Sequence, residues 1–144
     1  TCYPASALVN VLPSPSAAAV PMRISTITVG DMVQTPAGFE AVYFLGHASA
    51  DANLYVRLTL DSNDTLELSP DHYLPIHTTS LSSRYILAKD AAPGMSVHHM
   101  LTDAHASGTV SSRGTATVAT ISKVERTVLA GAYNPYTSSG EIIV

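Results

Sequence analysis

The chain reads as an all-β protein, and three observations predict it. Valine, isoleucine, threonine and tyrosine recur in short runs divided by Gly, Pro, Ser and Asn clusters, the pattern of strands and turns. Leu54–Leu60 and Thr65–Leu68 flank Asp61-Ser62-Asn63-Asp64, a polar segment with the length and composition of a hairpin loop. Long helices find no place, and Ile24 to Ile27 allow one turn at most.

Taken in order, Ala7–Leu12 makes a first strand, and Pro13 to Ala19 an irregular loop with two φ-locked prolines. Met22–Ser25 resumes the strand pattern. Val29-Gly30-Asp31 forms a turn into Met32–Thr35, with Asp31 bonding its own backbone, and Pro36-Ala37-Gly38 turns the chain into the apolar run Phe39 to Leu45. The hairpin ending at Leu68 leads directly to Ser69 and His72. Tyr85–Lys89 and Met95–Val97 flank a turn at Asp90 to Gly94, and a polar surface loop from Asp103 to Thr117 precedes Val118–Val124. Met22, Met32, Met95 and Met100 read as core fillers. A faint internal echo runs through these elements: Gly30 and Gly94, and Val33 and Val97, share an offset of 64 residues, each pair in a turn-then-strand setting.

At 144 residues the chain is read as a single domain and an expected monomer, able to bury about two-thirds of its unfolded surface. A net charge of −4 with seven Lys and Arg argues against a nucleic-acid partner, which requires a clustered basic face. Apolar runs stop well short of the ~18 residues that span a bilayer, and no charged n-region precedes an apolar h-region, so no membrane partner is expected. A single cysteine fits any redox compartment. Asn63-Asp64-Thr65 fits the N-glycosylation pattern, relevant only on a secretory route. His98, His99 and His105 invite a metal reading, but adjacent histidines on a strand point apart and no cysteine or carboxylate completes a tetrahedral set; no metal or cofactor is expected. His77 reads as structural.

The one cysteine, Cys2, has no disulfide partner within the chain. It is a buried apolar side chain, an inconsequential thiol or a nucleophile. As a nucleophile it could attack the carbonyl before it, that of Thr1, turning the amide into a thioester. This shift runs uphill in water, so the protein must stabilise the tetrahedral intermediate and protonate the departing amine. Histidine, with an ordinary pKa near neutrality, can take and return that proton, and His72 is the candidate. Ser69, three residues earlier, can orient the peptide group.

Three stretches, Thr1 to Val9, Leu66 to Leu74 and Gly131 to Val144, resemble the Hint module, the self-cleaving domain shared by Hedgehog proteins and inteins. Hint modules carry Cys or Ser at the cleavage point, matched by Cys2, and a Thr-x-x-His motif, matched by Ser69-Pro70-Asp71-His72 with Ser for Thr. Hedgehog-type members add a Val-Gly-Asp turn, matched by Val29-Gly30-Asp31, and a closing Pro-x-Thr-x-x-Gly-x-Ile-x-Val segment, matched from Pro135 to Val144. The resemblance implies a compact disc of two β subdomains related by a pseudo-twofold axis, spanning residues 1–144. It also implies cysteine-dependent, single-turnover release of an upstream segment of the chain's own precursor, and a secretory route if the protein is Hedgehog-like.

Two features depart from that pattern. Hedgehog proteins place an aspartate after a Phe-x pair, where it helps activate a sterol hydroxyl; here Gly46-His47 follows Phe44-Leu45. Either His47 substitutes as base or the sterol step is absent. No second cysteine or His-Asn pair follows by Val144, so completed splicing is not expected of this chain as given, nor is a sterol-recognition region present in it. The resolving nucleophile stays open among water, a thiol, an amine and a sterol. Two rival readings are a non-catalytic β module for binding or structure, in which Cys2 is incidental, and a cysteine hydrolase acting in trans.

Overall fold

The computed structural model describes residues 1–78, 84–101 and 115–144. Ten strands appear in it: β1 (Leu8–Leu12), β2 (Val20–Arg23), β3 (Met32–Thr35), β4 (Gly38–Ala41), β5 (Phe44–Leu60), β6 (Thr65–Leu68), β7 (Tyr73–His77), β8 (Arg84–Leu87), β9 (Ser96–Leu101) and β10 (Thr115–Tyr136). Two 3-10 turns, Ile24–Thr26 and Ala88–Asp90, are the helical pieces among the described residues. The first of these takes the single turn allowed to Ile24–Ile27 and ends β2 earlier than the expected Met22–Ser25. All pairings are antiparallel, in a sheet of order β2-β1-β3-β4 and another of order β6-β5-β10-β9-β7-β8. The fold class is all-β, as the short β-branched runs require.

The echo in the sequence is a structural repeat. Each half builds a hairpin, a 3-10 turn, a left-handed glycine and a strand that returns beside the first one. Ile24 N–H bonds Ala7 C=O and Ala88 N–H bonds His72 C=O; Gly30 N–H bonds Val42 C=O and Gly94 N–H bonds Ile121 C=O. Gly30 and Gly94 take φ of 101° and 91°, where a Cβ is disfavoured. Equivalent positions fill one core: Val9, Val11, Ile24 and Val33 from the first half, Leu74, Ile76, Ala88 and Val97 from the second. Val56, Leu58, Leu60, Leu68 and Ile121 pack beside them.

Two long strands depart from the expected pattern. β5 runs unbroken for 17 residues where the sequence indicates an apolar run ending at Leu45 and a separate strand from Leu54. β10 runs for 22 residues, from Thr115 through the end expected near Val124 and on to Tyr136. Residues 46–53 are poor in β-branched side chains, and their strand state comes from pairing with β10 from Asn53↔Leu129 to His47↔Asn134. The ladder slips at Ala130/Ala132 and at Asn134/Pro135, placing bulges opposite Gly131 and at Gly46. Of the loop expected from Asp103 to Thr117, residues up to 114 lie outside the described residues, and Thr115 already belongs to β10. Asp31 closes its turn as expected, its carboxylate accepting from the N–H and hydroxyl of Thr28 at 2.8 and 3.1 Å.

Candidate functional site

The first residues lie in a slot between β10 and the turn after β6. Tyr3 and Tyr133 exchange both backbone hydrogen bonds, Tyr3 N–H to Tyr133 C=O at 2.9 Å and the reverse at 3.0 Å. Strand backbone alternates its polar groups between edges, so Cys2 faces the other way. There its N–H donates to Ser69 Oγ at 2.8 Å, and its C=O accepts from Ser69 N–H at 3.0 Å. Ser69 thus grips Cys2 at two points, one of them the nitrogen of the Thr1–Cys2 peptide bond.

The turn bearing Ser69 is held from within and from behind. His72 N–H bonds Ser69 C=O at 2.9 Å, Lys89 N–H bonds Pro70 C=O at 2.9 Å, and Ala88 N–H bonds His72 C=O at 2.8 Å. The Pro4–Ala7 turn of the first half carries the matching bond, Ala7 N–H to Pro4 C=O. His72 therefore occupies the place that Ala7 holds in the repeat.

On the open side, the bulge at Gly46 presents His47 next to Asn134, which the strand register sets opposite Cys2. The Cys2 Sγ lies 3.4 Å from His47 Nδ1, within hydrogen-bond reach for sulfur. Cys2 is partly buried, and it is the one free thiol. All four sequence-predicted residues, Cys2, His47, Ser69 and His72, therefore meet at one place, with His47 on the sulfur and Ser69 on the nitrogen.

His72 differs from the expectation of a histidine titrating near neutrality. Its ring lies against that of buried Tyr3, centroids 4.7 Å apart, and its Nδ1 is buried without a hydrogen-bond partner. Burial first, and the Thr1 ammonium second, pull its pKa down from 6.5 to about 4, against an upward pull from the Cys2 backbone. Its resting state at neutral pH is the uncharged imidazole, with Nδ1 unpaired. Burial also holds the Tyr3 phenol protonated.

Beneath the site stands Tyr55, fully buried, its hydroxyl donating to Gly131 C=O. Burial and then the charge of a Cys2 thiolate push its pKa up to about 12. Gly131 has a φ of 85°, and a Cβ there would fall 2.6 Å from the Tyr133 ring and 2.7 Å from Ala5 Cβ. Ala5 N–H bonds Ala130 C=O at 2.9 Å, so Tyr55 and Gly131 brace the segment that carries Cys2. Sequence reasoning missed both. Tyr55 stands in an apolar alternation that reads as core, and Gly131 could have been found only from its close approach to Ala5.

Of the histidines set aside as a metal reading, His98 has a described contact, and it lies away from Cys2. His98 packs edge-on against His77, ring centroids 5.3 Å apart; the His99 side chain and His105 lie outside the described residues. Among the described residues no three His, Cys, Asp or Glu side chains group as metal ligands, and no helix there is long and apolar enough to cross a membrane. The closing segment Pro135–Val144 folds back on β3 and β4. Thr137 Oγ1 donates to Glu141 C=O at 2.7 Å, Ser139 N–H donates to the Glu40 carboxylate at 3.0 Å, and Ile143 N–H bonds Gln34 C=O at 3.0 Å. The Ser139 N–H, above all, holds Glu40 below the ordinary carboxylate range.

Comparison with known proteins adds the lineage. The family model of the Hint module matches residues 1–144. No curated protein sequence matches the chain. Among solved structures, the gp41-1 intein superposes with a TM-score of 0.66 at 17% identity, covering 95% of this chain and 87% of that one. The DnaX mini intein from Spirulina platensis superposes with a TM-score of 0.68 at 10% identity, covering 98% of this chain and 92% of that one. At these identities the likeness speaks for the fold.

Proposed function

The chain belongs to the Hint family of autoprocessing modules, and from that premise we propose that it cleaves its own precursor at the Thr1–Cys2 bond through a Cys2 thioester. One observation carries the reading: the nitrogen of that bond is held by Ser69 Oγ at 2.8 Å while the sulfur of the same residue lies 3.4 Å from His47 Nδ1.

In the proposed reaction His47 takes the thiol proton, and the thiolate attacks the Thr1 carbonyl carbon. The C–S bond forms and the C–N bond breaks. The nitrogen, kept in place by Ser69, receives a proton from the ring of His72; His47 gives up the thiol proton to solvent and His72 regains one from solvent, so both imidazoles end neutral and the net movement is one proton from sulfur to nitrogen. A second nucleophile then displaces sulfur, its proton returns to Cys2 by way of His47, and the upstream segment leaves. The buried His72 suits this order, since at rest it is the neutral imidazole with one ring N–H, and it takes a second proton only as negative charge develops beside it. Preorganisation of the amide by a fixed turn is the kind of positioning that speeds intramolecular attack.

The Hedgehog-type reading rests on Val29-Gly30-Asp31 and on the closing segment from Pro135, which ties into β3 and β4. Release without splicing follows from it, with the acceptor drawn from water, thiols, amines or sterols. The test is a reporter fused upstream of Thr1. Dithiothreitol should release it from the purified precursor, and Cys2→Ala should abolish release. A wild-type precursor that stays intact under every nucleophile would return the chain to a non-catalytic β module.

A further inference from the structure

The register that places Cys2 also says where the preceding polypeptide must go. Tyr3 pairs with Tyr133 in antiparallel sense, so two steps further set Thr1 opposite Pro135, and a third sets the residue before Thr1 opposite Tyr136. Pro135 has no N–H to offer the Thr1 carbonyl, which leaves its C=O as the one backbone partner there, and Tyr136 turns its C=O to the opposite edge, where it accepts from Tyr43 N–H at 3.0 Å. An added strand here draws little from the backbone ladder. Its hold must come from side chains.

Those side chains are present. Tyr136 lies 5.9 Å from Phe44 and 6.4 Å from Tyr43, centroid to centroid, and the three rings are 38%, 54% and 61% exposed. The Tyr136 ring covers Gly46, where any Cβ would collide with it, so it lies beside His47. Side chains alternate along a strand, which puts the residue before Thr1 on the face of Cys2 and Tyr136. Three neighbouring aromatic rings left open to solvent, Tyr136 set against each of the other two, mark a recognition surface.

We propose that Tyr43, Phe44 and Tyr136 form a docking surface for an apolar side chain immediately before Thr1 in the precursor, which fixes the path of the scissile segment across His47. The occupant is upstream polypeptide of the same chain. The inference rests on the reading above only in requiring that polypeptide precedes Thr1.

A precursor carrying Cys2→Ala, with a methyl-labelled leucine immediately before Thr1, tests it by NMR whether or not the wild type cleaves. The leucine methyls should shift upfield and show cross-relaxation to the rings of Tyr136 and Phe44. Methyls at random-coil positions without ring contacts would overturn the proposal. In cleaving precursors, Leu before Thr1 should give release about tenfold faster than Asp, because the leucine side chain leaves water against the three rings. The double variant Tyr43→Ser, Phe44→Ser should bring that ratio close to one while still releasing the Asp form; a preference that survives it would also overturn the proposal.

Discussion

His72 Nδ1 is a buried nitrogen with no partner, in a structure that satisfies the neighbouring backbone of Ser69, Pro70 and His72 itself. An orphan buried polar atom costs stability, and a functional role explains why it is kept. In the proposed reaction its use is proton delivery, and His72→Ala should slow thioester formation by about 10²-fold or more in single-turnover assays; an unchanged rate would remove it from the mechanism. The Thr1 ammonium is one of the two causes that depress His72, and that charge is absent when Thr1 is acylated. The His72 pKa should therefore be higher in a Cys2→Ala precursor than in the Cys2→Ala chain that starts with a free Thr1, while staying below 6.5 because burial persists. Ring-proton titration in the two forms checks this. Cys2, Ser69 and His72 were singled out in the sequence because a lone thiol and a hydroxyl three residues before an imidazole coincided with the resemblance to the Hint module; their meeting in space is read from the fold. The depressed basicity of His72 was not, since Tyr3 reaches its ring only in the fold.

Among the elements, the long β5–β10 ribbon aims the site. It supplies His47 from one strand, pairs Tyr133 with Tyr3 on the other, and carries bulges where both events occur. Neither strand's full extent could be read from propensity, because Gly46 to Asn53 become strand through a distant partner, β10. His47 was noticed as a departure from the Hedgehog pattern; its 3.4 Å contact with Cys2 depends on that ribbon. Tyr55→Phe removes one buried hydrogen bond and should cost roughly 1 kcal/mol in denaturant unfolding. The Gly131→Ala variant meets both a left-handed φ and close contact with Ala5, so it should lose more stability and also slow thioester formation. Stability loss with an unaltered rate would deny the brace any part in placing Cys2.

For the whole molecule, the repeat divides labour: both halves build the same hairpin and turn, but the second carries Ser69 and His72 where the first carries Pro4 and Ala7. The sequence hinted at this through two glycines and two valines, which mark the turns and core positions that the backbone demands. It could not show that the two halves close on one core. Histidine burial there has a global consequence. The folded pKa of about 4 lies below the ordinary 6.5, so the unfolded chain binds the additional proton between those values. Stability contributed by keeping His72 neutral is present above about pH 6.5, falls as pH drops, and is gone below about 4. The difference amounts to on the order of 3 kcal/mol at most. Urea unfolding of the wild type should weaken across that window, and His72→Asn should flatten the slope.

The central claim is tested most directly by trapping the acyl group. A precursor with a defined upstream peptide is treated with hydroxylamine and analysed by mass spectrometry. The account predicts an upstream fragment ending in the hydroxamate of Thr1, together with a chain beginning at Cys2, neither of them from Cys2→Ala. An intact wild-type precursor, or cleavage at any other bond, would contradict it.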